Sequence, residues 1–171
     1  MNLPKAKKFK AVKYAAGLSR FNLKIAKNKL SANESALGPS PKAVLAFKKI
    51  SQNLKRYPDT NGNSLRTSLA KRFNLDQNKI ILGNGSDQIF ELVCKAFLSQ
   101  KDEVVVSEYS FIIYRIYSEI NGAKVKYAKE NNFKVSIENI LSKVTKKTKI
   151  VFIANPNNPT GTYIDKKKIL E

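Results

Sequence analysis

The 171-residue sequence contains no histidine and a single cysteine, Cys94. Without histidine, a zinc centre lacks its usual nitrogen ligand and a Ser-His-Asp triad lacks its base. One thiol cannot form a disulfide within the chain, and Cys94 lies among apolar residues in a helical pattern, which argues against a metal cluster. No apolar run approaches the roughly 18 residues that would cross a membrane, and the apolar core of a secretory signal is missing. Acidic residues are scarce, 13 against 32 Lys and Arg, for a formal charge of +19. That imbalance raises a nucleic-acid reading. The distribution argues against it: Lys outnumbers Arg 27 to 5, the bases are spread through every segment, and no cluster of Arg with stacking aromatics occurs. Plentiful Asn and Ile beside the Lys read as a bias of the coding sequence toward A and T, not as a built phosphate-binding face. At 42% hydrophobic and 26% charged, the composition suits one globular domain or part of a larger one.

Residues 1–33 carry nine basic residues and no acid. They read as a loosely ordered basic arm, with a turn at Tyr14–Gly17 and a short strand around Lys29–Ala32. A transit peptide is usually richer in Arg than this. Pro39-Ser40-Pro41 opens a helix over 41–54, with Val44, Phe47, Ile50 and Leu54 at helical spacing. Arg56-Tyr57-Pro58-Asp59 and Asn61-Gly62-Asn63 break it. Leu65, Leu69 and Phe73 line a second helix. From Lys79 the rhythm alternates, with strands expected at 80–82, 103–107, 123–127 and 149–154 and helices near 86–98, 110–121 and 136–142. Asp165 begins another helix. The alternation predicts an α/β fold, a sheet covered by helices.

Three strand-to-helix turns carry candidate chemistry. Gly83-Asn84-Gly85-Ser86-Asp87 opens a helix, where free N–H groups and the helix dipole favour a phosphate; Ser86 and Asp87 would equally serve as plain helix caps. The sequence lacks GxxxxGK[ST], and one GxG is no dinucleotide fingerprint. Phe111, after Val104–Val106, can stack on a flat ring or simply pack in the core. Asn155-Pro-Asn-Asn-Pro-Thr-Gly161 cannot continue a strand or a helix, so it sits on the carboxyl rim where open α/β sheets place ligands. It offers the Asn158 amide, or serves only as a rigid loop. Together the three turns fit a phosphorylated planar heterocycle.

With Leu30-Ser-Ala-Asn-Glu34, Gly38-Pro-Ser-Pro41, Arg56-Tyr-Pro-Asp59, Leu82-Gly-Asn-Gly-Ser-Asp87, Phe111-Ile-Ile-Tyr114 and Asn155–Gly161 in order, the chain resembles the N-terminal half of the histidinol-phosphate aminotransferases, which are fold-type I pyridoxal-phosphate enzymes. The resemblance implies an open, mostly parallel sheet with covering helices. It divides the chain into an N-terminal arm and small-domain segment (1–60) and the first half of the large cofactor-binding domain (61–171). It gives Gly85, Ser86 and Asp87 to the cofactor phosphate, Phe111 to stacking on the pyridine ring, and Asn158 to the ring's phenolic oxygen. Tyr57 would reach the phosphate of the partner subunit, implying a homodimer with shared sites, and the expected localisation is cytoplasmic. Tyr14 and Asn33 fall where the substrate is bordered. Ser35-Ala36 departs from the family's usual Asn-Pro, and Gln88 replaces a frequent Glu. The family's cofactor-bonding Lys, its Asp at the pyridine nitrogen and its substrate-clamping Arg all correspond to positions past Glu171. The chain is therefore expected to be a fragment, inactive alone and poorly soluble. Other phospho-substrate or aromatic aminotransferases, decarboxylases of the same fold, and a non-catalytic fragment stay open as alternatives.

Overall fold

A computed structural model describes residues 20–21, 24–25 and 30–170. Within them the chain forms two compact units that meet in sequence at Leu82/Gly83.

The first unit begins with two paired antiparallel strands, β1 (Arg20–Phe21) and β2 (Lys24–Ile25). Helix α1 (Pro41–Ile50) starts on a proline, whose missing N–H costs nothing in a first turn, and carries Lys48 and Lys49 at its negative end. A 3-10 turn, Ser51–Asn53, finishes the expected 41–54 segment. Asp59 then orders the next loop, its carboxylate accepting from the N–H groups of Asn61 at 3.1 Å and Asn63 at 2.6 Å. Gly62 has a left-handed φ of 58° and leads into α2 (Asn63–Phe73). A β-carbon there would lie 2.4 Å from Leu82 Cδ1, a side-chain end that can turn aside, so it is the backbone conformation that selects glycine.

Two expected strands are absent. Leu30–Ala32 is bent, not extended into a strand, and the Glu34 N–H folds back on the Ala32 carbonyl. Ile80–Leu82 pairs with no neighbour: the Ile80 N–H closes a turn on Gln77 and Ile81 is exposed. Apolar, β-branched residues suit a strand but do not make one without a ladder partner. Tyr14–Gly17 and most of the basic arm lie outside the described residues.

The second unit alternates α3 (Gly85–Phe97), β3 (Glu103–Ser107), α4 (Ile112–Ile120), β4 (Lys124–Ala128), α5 (Ile137–Lys143), β5 (Thr148–Phe152) and α6 (Lys166–Leu170). The sheet order is β4-β3-β5, with β3 parallel to both neighbours. β3 is buried along its whole length, which explains its unbroken Val104-Val105-Val106 run. Alternate side chains divide between two faces. Val105 packs with Ala128, Val135, Ile140 of α5 and Ile164. Val104 and Val106 pack with Tyr114 of α4, Ala123 and Phe90 of α3. Helices therefore cover both faces of a parallel sheet, the α/β architecture expected from the alternation.

Candidate active site

Parallel strands send their carboxyl ends to one rim, so the turns after Ser107, Ala128 and Phe152 share it. The start of α3 lies there too: Phe90, in the second turn of that helix, meets the ring of Phe152, the last residue of β5, at 5.9 Å and that of Tyr114 at 4.8 Å, both edge-on.

At this end of α3 the N-cap residue is Asn84, whose side chain makes no cap bond. Gln88 reaches back instead, its Oε1 accepting from the Asn84 N–H at 2.6 Å. Neither Ser86 nor Asp87 caps the helix, contrary to the simpler reading of those residues. No acceptor among the described residues meets the N–H groups of Gly85, Ser86 or Asp87. Gly85 has φ of 70°, and a β-carbon built on it meets nothing within 4 Å. The result is an open, glycine-lined cradle with three unspent donors, the Ser86 hydroxyl beside them, and the positive end of a 13-residue helix behind.

Phe111 sits on the turn after β3, as the N-cap residue of α4. It is half-buried, edge-on to Tyr114 at 5.9 Å, and lines a surface hollow of about 170 Å³ with Val106, Ser110, Arg115 and Tyr127. It packs and faces the rim at once. Tyr114 stacks flat on Phe152 at 4.7 Å, and burial pushes its phenol pKa up, keeping the hydroxyl protonated.

The loop after β5 is braced at both ends. Asn155 Nδ2 donates to the Ile164 carbonyl and its Oδ1 accepts from the Ile164 N–H, each at 2.9 Å. Asn157, 3% exposed, donates its N–H to the Thr162 carbonyl at 2.7 Å and accepts the Gly161 N–H at 2.8 Å. Its Nδ2 reaches Thr160 Oγ1 at 3.0 Å and Glu130 Oε1 at 3.2 Å. Asn158, half-buried between these braces, spends its amide on nothing among the described residues. The loop thus fixes the position of Asn158 and leaves both its donor and its acceptor available.

The three turns bring Gly85, Ser86, Asp87, Phe111 and Asn158 to one rim. Tyr57 and Asn33 belong to the other unit, both exposed; Tyr14 lies outside the described residues. Sequence reasoning passed over Asn157, Glu130 and the threonines of the loop. Asn157 stood inside a motif whose other asparagine drew attention, and Glu130 is 27 residues from its partner, beyond the reach of any local pattern.

The class I and II aminotransferase family model matches residues 25–171. The chain belongs to the class I and II aminotransferases. Among curated members, the histidinol-phosphate aminotransferase of Pelagibacter ubique is 51% identical over the whole chain, which corresponds to 48% of that protein. The chain thus spans about half the length of this aminotransferase relative. A putative histidinol-phosphate aminotransferase of Erwinia carotovora atroseptica superposes with a TM-score of 0.75 at 30% identity, over 80% of this chain and 40% of that one. That of Sinorhizobium meliloti, solved with pyridoxal-5'-phosphate, superposes at 0.77 with 23% identity, over 81% and 38%, and speaks to the fold alone.

Proposed function

We propose that this aminotransferase chain is the N-terminal part of a pyridoxal-phosphate enzyme that exchanges an amino group between histidinol phosphate, with imidazole-acetol phosphate as its keto counterpart, and glutamate with 2-oxoglutarate, in histidine biosynthesis. The observation that carries this reading is the 51% identity to the Pelagibacter protein over the whole chain. The donor set agrees with the cofactor. A phosphate suits the open Gly85 cradle with its unspent N–H groups, and a flat ring suits the half-buried Phe111 face and the free Asn158 amide.

Bound there, the cofactor supplies an electron sink for the pair released at the substrate's α-carbon. The chain's own residues bind and orient. Backbone donors at Gly85, Ser86 and Asp87, with the Ser86 hydroxyl, hold the phosphate against the helix dipole. Phe111 supports one face of the ring, and Asn158 donates to its phenolic oxygen. Tyr57 reaches the phosphate of the partner subunit, making the working protein a homodimer with shared sites. Tyr14 and Asn33 border the substrate. Residues 1–60 serve as the arm and small-domain segment, and 61–171 as the first part of the cofactor domain. The enzyme works in the cytoplasm; no helix among the described residues is long and apolar enough to cross a membrane.

The test is to express the complete reading frame that contains these residues and measure glutamate formed from histidinol phosphate and 2-oxoglutarate. Turnover that is lost when pyridoxal phosphate is stripped from the protein and restored when it is added back supports the reading. A much higher kcat/KM with an aromatic amino acid or aspartate would move the protein to another branch of the family, and failure to retain the cofactor would overturn the site.

A further inference from the structure

One carboxylate oxygen, on the rim turn after β4, meets the other two rim turns of the sheet. Glu130 follows β4 by two residues, and its Oε1 accepts from three donors: the Ser107 hydroxyl, the Tyr109 N–H at 3.3 Å and Asn157 Nδ2 at 3.2 Å. Ser107, 3% exposed, is the last residue of β3. Tyr109 precedes Phe111 by two residues, and Asn157 immediately precedes Asn158. The strand ladders end at Ser107 beside Ala128 and at Val106 beside Phe152, so past that line the turns depend largely on side chains for their relative placement. A second tie runs in parallel. The Thr162 hydroxyl donates to the Phe133 carbonyl at 2.9 Å, and the Phe133 ring lies 5.2 Å from that of Tyr109. Asn132 and Phe133, at φ of 51° and 61°, form the two-residue tip of a tight turn that the Asn131–Lys134 backbone pair closes, which fixes where the Phe133 carbonyl and ring stand. The exit of β4 thus holds the turns after β3 and β5 by two routes.

We propose that Glu130 is a positioning residue of the cofactor site: it sets Asn158 and Phe111 relative to one another, by tying the turns that carry them to a single charged acceptor, without touching the substrate. This rests on the cofactor reading of Asn158 and Phe111 given above. A carboxylate suits the task because an ionised acceptor binds each of three neutral donors more strongly than a carbonyl would. An apolar residue in its place strands the buried Ser107 hydroxyl and takes from Asn157 Nδ2 one of its two acceptors, leaving Thr160 Oγ1, which loosens the loop.

The experiment uses the complete protein loaded with pyridoxal phosphate, comparing Glu130→Leu, Glu130→Gln, Asn158→Ala and the Leu–Ala double variant. Two quantities are read: the dissociation constant of the cofactor, and the pH midpoint of its visible absorption band. Glu130→Leu is expected to weaken cofactor binding about tenfold and to move the midpoint in the same direction as Asn158→Ala, by roughly half a unit or more. Glu130→Gln, which keeps an acceptor oxygen, should recover most of both. In the Asn158→Ala background the Leu substitution should move the midpoint no further, since its effect on the ring runs through that amide. A Glu130→Leu protein with wild-type affinity and midpoint overturns the inference, as does full additivity in the double variant. If Glu130→Leu does not fold, Ser107→Ala removes one donor to the same oxygen and should shift the midpoint in the same direction; an unmoved midpoint overturns the inference. Wild-type protein that fails to retain the cofactor, or an Asn158→Ala variant with no effect, defeats the underlying site reading instead.

Discussion

At the residue scale, Gly85 carries two duties that one substitution separates. Its φ of 70° costs an L-residue about 1–2 kcal/mol, whatever space is available. Because nothing lies within 4 Å of the added methyl, the Gly85→Ala protein should still fold, with its unfolding free energy from urea titration lowered by no more than that backbone penalty. The methyl, however, stands in the cradle. In the complete protein, cofactor retention should fall by at least about tenfold, as followed by fluorescence titration. Equal affinity in Gly85→Ala and wild type would show that the phosphate lies elsewhere. The neighbouring Asn84–Gln88 bond also gives a reason to expect Gln and Glu to be interchangeable at 88, since either offers an oxygen to the Asn84 N–H.

At the element scale, β3 is where burial and charge meet. Its first residue, Glu103, is 9% exposed and pairs with Lys126 of β4 at 2.7 Å, with the Thr145 hydroxyl on the same oxygen. These two partners, Lys126 first, hold the Glu103 carboxyl below the usual carboxylate range. A carboxyl whose folded pKa is depressed stabilises the fold above its unfolded pKa and loses that contribution as pH falls through the folded value. The melting temperature should therefore drop as pH goes from about 5 to about 3, and the Glu103→Gln variant should show a shallower drop over the same interval. An identical acid profile in both would remove the pair from the balance. The strand itself was readable, because a valine run flanked by polar residues has few other solutions. The segment at 80–82 was misread for the complementary reason: a strand is a property of two segments, and only one was visible. The Pro-rich loop announced itself locally, whereas the carboxylate that braces it arrives from another turn through the fold.

For the whole molecule, the proposed function predicts that residues 1–171 by themselves show no transamination with histidinol phosphate and 2-oxoglutarate, because the family resemblance puts the cofactor-bonding Lys at a position past Glu171. Measurable turnover by the purified 171-residue chain would refute this. The described part of the chain leaves a good deal of apolar surface in solvent, including Phe47 and Ile50 on α1, Leu54 just past the 3-10 turn that follows it, Val151 on β5 and Ile153 just after that strand. In the three-stranded sheet β5 is an outer strand, and outer strands recruit further strands unless something repels them. Here Lys149 stands exposed on that strand, in a chain of formal charge +19. Mutual repulsion between copies then guards against stacking, and its range shrinks from about 10 Å in 0.1 M salt to about 3 Å in 1 M. Light scattering of the 171-residue chain should accordingly rise with sodium chloride, reversing the usual salting-in of a modestly charged protein, and Lys149→Thr should lower the concentration of salt at which it begins.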